Sequence, residues 1–161
     1  MVVADAKGNE LLNIVYVDEE NADKEYRPIN HCLVVVKIGN HYLMGWNKWR
    51  QDWEIFGGCR EKGETLRACI IREYEEELGL KNIAFEYLGL MYYKMAPGYF
   101  NPEWHYEYGG LYGVTLPEEY LGIIEKIRTD KEEFEKLAFY DEIKEKEKFA
   151  SIDEKLLEYW N

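Results

Sequence analysis

Gly58 to Leu80 reads GCREKGETLRACIIREYEEELGL, and within it positions 72–79, REYEEELG, crowd Glu73, Glu75, Glu76 and Glu77 into little more than one helical turn. Like charges three or four residues apart repel, at roughly 0.2–0.5 kcal/mol per pair on an exposed helix. A solvated acidic face would tolerate this; a divalent cation would require it. Spacing favours the cation. A helix is expected from about Thr65 to Leu78, closed by Gly79 as C-cap, with Leu66, Ile70, Ile71, Tyr74 and Leu78 as the apolar stripe that docks on a sheet. Glu73, Glu76 and Glu77 fall at i, i+3 and i+4 and are expected together on the other side, with Glu75 pointing away to water. Three convergent carboxylates offer hard oxygen ligands to Mg2+ or Mn2+, and Arg72 beside them can orient one through a bidentate contact.

Outward from this helix, β-branched and period-two runs predict strands near Asn13–Val17, Cys32–Ile38 and Tyr42–Trp46, with a turn at Asn40 between the last two, and a short one at Trp53–Phe56. Gly57 and Gly58 then open a loop that also contains Gly63. Beyond the helix, strands are expected at Ala84–Lys94 and at Trp104–Leu116, the latter interrupted by two glycines. A helix from Pro117 to Ile127, a strand near Leu137–Tyr140 and a terminal helix around Ile152–Trp160 complete the pattern. Strands and helices interleave without an internal repeat, which argues for an α/β fold with a mixed sheet covered by helices.

With 161 residues and 47% hydrophobic content, the chain is expected to form one domain, 1–161. It has no run of eighteen apolar residues, and MVVADAKGNELL lacks the order of a signal peptide, so a cytoplasmic protein with no membrane partner is expected. Cys32, Cys59 and Cys69 are odd in number and lack C-x-x-C spacing, which fits reduced thiols; His31, His41 and His105 are scattered and read as strand or loop residues. The net charge of −12 argues against a nucleic-acid polymer as partner, since phosphate backbones are held by Lys and Arg. Small phosphate ligands remain open to such a protein, because a bound cation reverses the local field.

Gly58, Glu64, Arg72-Glu73, Tyr74, Glu76-Glu77, Gly79 and Leu80 resemble the Nudix box, G-x5-E-x7-R-E-U-x-E-E-x-G-U with U a bulky aliphatic residue. Every fixed position matches, and seven residues of average usage match a given window by chance only about once in 10⁸. Tyr74 at an aliphatic position, and Phe56 where relatives often carry proline before the paired glycines, are the departures. The resemblance implies an α/β/α sandwich in which the box forms a loop–helix–loop, and metal-dependent hydrolysis of a nucleoside diphosphate linked to another group X. It implies that Glu73, Glu76 and Glu77 bind metal, that the backbone carbonyl of Gly57 joins them, and that Glu64 and Arg72 form the box's structural pair. In some relatives a box glutamate is the general base, and in others a glutamate in a later loop serves as base or extra ligand; Glu133, in TDKEEFEKLAFYDEI, is similar to that later residue.

Substrate identity lies outside the box. Trp46, Trp49 and Arg50 before it and KMAPGYFNPEW after it can offer stacking faces and a phosphate contact. Pro97 lies near the proline of ADP-ribose hydrolases and Tyr99 near the tyrosine of dinucleoside polyphosphate hydrolases, so a nucleoside triphosphate, ADP-ribose or a nucleotide sugar, and a dinucleoside polyphosphate all stay open as the nucleotide substrate. The alternative to catalysis is a Nudix-fold module that binds a nucleotide as a sensor or regulator, although such modules commonly lose box carboxylates that this chain retains. The oligomeric state is open, with a homodimer one option.

Overall fold

A computed structural model describes residues 1–81 and 83–161. In chain order its elements are β1 (Val3–Ala4), β2 (Glu10–Val15), α1 (Ala22–Glu25), β3 (Ile29–Ile38), β4 (His41–Asn47), β5 (Asp52–Glu54), β6 (Phe56–Cys59), α2 (Leu66–Leu78), β7 (Glu86–Met95), β8 (His105–Leu116), α3 (Tyr120–Ile127), β9 (Phe134–Phe139), α4 (Tyr140–Ile143) and α5 (Ser151–Leu156).

The run INHCLVVVKI in β3 is apolar on both faces because both are covered. Cys32, Val34, Val36 and Ile38 join one buried cluster, while Val35 joins another. Over the first face lie Leu66, Cys69, Ile70, Tyr74 and Leu78 of α2 and Ile124 of α3. Over the second, Ile152 and Leu156 of α5 and the following Leu157 pack on Met44, Trp53, Met91, Tyr93 and Leu111. Helices on both sides of a mixed sheet make the α/β/α sandwich. Its order is β1-β2-β7-β8-β3-β4-β5, with β6 on β3 and β9 on β4. β3 and β8 run parallel, which the long connection carrying α2 permits, and the other pairings are antiparallel.

One edge of β3 is shared between two partners: Val36, Lys37 and Ile38 pair with β4, and His31 to Val34 pair with β6. The glycines expected to open a loop therefore lie inside a strand, and the run read as one strand at Trp53–Phe56 divides at Ile55 into β5 and β6. β8 likewise runs unbroken through Gly109 and Gly110. A Cβ at Gly109 would stand 2.6 Å from the His31 ring, so glycine admits a neighbour there without interrupting the strand. Smaller corrections follow from local context: β2 begins at Glu10 and ends before Val17, α3 begins at Tyr120 after a turn at Pro117, β9 starts at Phe134, and α5 passes into a 3-10 turn at Leu157–Tyr159.

In α2, Thr65 caps the first turn by accepting from the Ala68 amide at 3.1 Å, and Gly79 closes it at φ 74°. Two placements differ from the sequence reading. Ile71 is 42% exposed, and Glu77 is buried within the docked face. Seven residues after Ile70, Glu77 projects within about 20° of it, so it shares the apolar stripe's direction.

Tyr74 packs edge-on to Phe85 at 4.9 Å, yet its buried hydroxyl has no hydrogen-bond partner. Because an orphaned buried hydroxyl costs free energy that a benzene ring does not, Tyr74→Phe should raise stability by about 1 kcal/mol. A higher urea midpoint at unchanged slope would bear this out; a lower one would show the hydroxyl to be satisfied in solution.

Candidate active site

The site is built where the C-terminal half of α2 crosses β6. Gly57 has φ +143°, and a Cβ there would fall 2.0 Å from the Cys32 carbonyl oxygen. At Gly58 a Cβ would fall 2.5 Å from the Glu73 carboxyl carbon. Gly58 thus lets the Glu73 carboxylate lie directly on the strand, while Gly57 admits the close approach of the β3 backbone. The Gly57 amide donates to Glu77 Oε1 at 2.8 Å, while Glu77 Oε2, equally buried, has no partner.

Arg72 organises the opposite flank. Its Nε and one terminal nitrogen donate to both oxygens of Glu64, at 2.7 and 3.0 Å, and that second nitrogen also reaches the Cys59 carbonyl at 3.0 Å. Its remaining nitrogen reaches Glu73 Oε1 at 2.9 Å and Glu76 Oε2 at 3.4 Å. The Glu61 amide donates to Glu64 as well, and this pairing with Arg72 first, then the amide, holds the Glu64 carboxyl down at about 2. Arg60 ties the same loop down through a bidentate pair with Asp23 and a 2.8 Å bond to the Glu64 carbonyl. Cys69 is buried with its thiol toward the Gly58 carbonyl at 3.7 Å, and Glu75 lies outside with Lys81 at 3.4 Å.

Glu133 enters from the loop before β9. Asn47 Nδ2 donates to its Oε1 at 3.4 Å, and Arg50 stands 3.8 Å from the same oxygen. Glu133 is near enough to raise the pKa of both Glu73 and Glu77, and Glu76 in turn raises that of Glu133. For all three raised carboxyls burial is the first cause, with mutual repulsion added; Arg72 partly offsets the rise at Glu73, the Gly57 amide at Glu77, and Arg50 and Asn47 at Glu133. The structure thus brings Glu64, Arg72, Glu73, Glu76, Glu77, Gly57, Glu133 and Arg50 into one neighbourhood.

Trp46 and Tyr99 are not brought there. Trp46 packs with the α5-side cluster, edge-on to Trp53 at 5.7 Å and beneath Lys136. Tyr99 lies in the β7–β8 loop, 96% exposed, against Phe100. Sequence reasoning also missed Asn47 and Glu54. Both are buried, and Glu54 accepts from Asn47 at 3.1 Å and from Arg50 at 2.8 Å. No local motif in the sequence singles out either residue. Only their mutual contacts identify them.

Among the described residues, no three His, Cys, Asp or Glu side chains are gathered as a metal site. The expected convergence of Glu73, Glu76 and Glu77 is absent because Glu77 turns onto Gly57 while Arg72 draws the other two. The residues nevertheless fit a divalent cation. Glu77 Oε2 is an unsatisfied buried acceptor, its neighbours are mutually repelling carboxylates, and every donor is a hard oxygen.

An acidic loop–helix–loop on an α/β/α sandwich gives the class of fold, and sequence comparison makes it specific. The NUDIX domain matches residues 26–160, and the chain belongs to that family. Among solved structures, a mutant of the pyrophosphohydrolase BsRppH of Bacillus subtilis has a TM-score of 0.62 at 19% identity, covering 93% of this chain and 85% of that one. The NUDIX domain of Shewanella oneidensis NrtR, solved with ADP ribose, has a TM-score of 0.58 at 12% identity, covering 89% and 96%. A mutT/nudix family protein from Listeria innocua has a TM-score of 0.54 at 16% identity, covering 80% and 88%. No curated protein matches.

Burial holds Glu54 at about 9 and Asp153 at about 7, and raises Glu73, Glu77 and Glu133. A carboxyl whose folded pKa exceeds its unfolded value favours the fold while protonated, and that contribution is lost as pH rises through the folded value. The lowered carboxyls Glu64 and Asp23 act in the opposite sense, but at more acid pH. Without metal, the melting temperature should therefore fall between about pH 5 and about pH 9, and magnesium should restore more of it at the upper end. A flat or rising metal-free profile would contradict this electrostatic account.

Proposed function

We propose that this Nudix protein is a pyrophosphohydrolase that opens the diphosphate linkage of a nucleoside diphosphate-X compound by attack of water at phosphorus. The observation that carries the reading is the buried, unpartnered oxygen of Glu77 beside Glu73, Glu76 and Glu133, an arrangement costly to build except around a cation. Glu73, Glu76 and Glu77, with the Gly57 carbonyl, would hold Mg2+ or Mn2+. When bound, the ion offsets the charge on phosphate oxygens and makes water more acidic. Glu64 fixes Arg72, and Arg72 pairs with Glu73 and Glu76.

Glu133 would receive the proton that water gives up; Arg50 and Asn47 beside it favour its ionised form despite burial. The half-exposed Arg50 guanidinium can meet a substrate phosphate. As water's oxygen bonds to phosphorus, the bridging P–O bond breaks and its electrons leave with the departing phosphate. Screening magnesium-dependent hydrolysis of nucleoside triphosphates, nucleotide sugars, ADP-ribose and dinucleoside polyphosphates identifies the substrate. ADP-ribose belongs in that set because the Shewanella domain was solved with it.

On the substrate so found, Glu76→Gln and Glu77→Gln should each lower turnover by at least about a hundredfold, the scale of losing a key electrostatic group. Near-native rates in both would refute the assignment of these residues. Hydrolysis in ¹⁸O water should label a product phosphate; label on the carbon of the sugar or X group would mean C–O cleavage instead.

A further inference from the structure

We infer that Asn47 is a positioning residue for this reaction, its side-chain amide bracing the Glu133 carboxylate against the buried Glu54. The inference rests on the hydrolase reading and adds to it a residue outside the box.

Asn47 ends β4 and is fully buried. Its orientation follows from its partners. Oδ1 accepts from the amides of Trp49, at 3.0 Å, and Arg50, at 2.9 Å, so the carbonyl end is committed to the β4–β5 turn. The amino end must then face the other way, toward two carboxylates, where Nδ2 donates to Glu54 Oε1 at 3.1 Å and Glu133 Oε1 at 3.4 Å. Turned the other way, the side chain would leave both turn amides without their acceptor. Arg50 repeats the link with one nitrogen, 2.8 Å from Glu54 and 3.8 Å from Glu133.

The backbone of the turn grips the same segment. The Lys48 amide donates to the Glu133 carbonyl at 2.8 Å, and the Gln51 amide closes the turn on the Asn47 carbonyl at 2.8 Å. β4 pairs with β9 up to Asn47 opposite Phe134, so Glu133 leaves the strand at the point where Asn47 can hold it. Glu54 is the fixed end of the brace, on β5 beside Asn47's own strand. Glu133, by contrast, is carried on a loop and has no other side-chain donor among the described residues than Asn47 and, more distantly, Arg50. Without the brace a loop glutamate surrounded by Glu73, Glu76 and Glu77 would swing outward.

Asn47→Asp tests this directly, because it keeps the acceptor that the turn needs and removes the amino group. The expected result is a kcat lower by about a hundredfold, the cost of a misplaced catalytic group, with KM within about threefold of wild type. Asn47→Leu, uncharged and similar in size, is the second variant if the added charge unfolds the first. In a Glu133→Gln background either substitution should change kcat by less than about twofold, since a residue that acts through Glu133 has nothing left to position. Melting curves confirm folding. Equal losses in both backgrounds would overturn the inference while leaving the hydrolase reading intact, because Asn47 would then act on the fold at large. A wild type inactive on every nucleotide in the screen would overturn the hydrolase reading and this inference together.

Discussion

The hydrogen bond from the Gly57 amide to Glu77 ties the two halves of the site together. It joins the strand beneath α2 to the helix above it where a buried glutamate enters the interface. Everything around it accommodates that entry. Gly57 and Gly58 remove the side chains that would fill the space, β3 gives up part of its edge to β6, and the apolar residues of α2 hold the helix down on either side. A single backbone amide satisfies one carboxylate oxygen only. The other oxygen, equally buried, is left without a protein partner.

Arg72 and Arg50 both border this acidic centre. Arg72 is saturated by Glu64, Glu73, Glu76 and the Cys59 carbonyl, which makes it a structural cation with little left for a ligand. Arg50 is half exposed and bound chiefly to Glu54, so part of its fork remains turned outward. The arrangement separates a cation that sets geometry from one that can take a phosphate. Both lie beside the carboxylates of a chain whose net charge is −12.

Much of this was legible in the sequence because α2 is governed by local rules. The start near Thr65, the Gly79 stop and the period of Leu66, Ile70, Tyr74 and Leu78 depend on neighbours within a few residues. The burial of Glu77 was not legible, since it depends on a glycine strand that arrives from elsewhere, and a glutamate on an amphipathic helix reads by default as solvated. Ile71 failed for the converse reason: it lies just outside the arc that the sheet covers. Asn47 and Glu54 are further from view still, because their role exists only through pairing between β4, β5 and β9, with partners up to 86 residues away. Trp46 shows how alternation decides: on β4 it faces α5, while the next residue, Asn47, faces the acidic centre.

Glu77, with one carboxylate oxygen on the Gly57 amide and the other without a protein partner, is the central ligand of the proposed cation site. Calorimetric titration of Mn2+ into the wild-type protein and into Glu77→Gln, at about pH 8 where the carboxyl competes less for a proton, tests that role without reference to any substrate. Saturable binding to the wild type that weakens at least about tenfold in Glu77→Gln, with the variant still folded, is the predicted result. Equal affinity in the two proteins would contradict it.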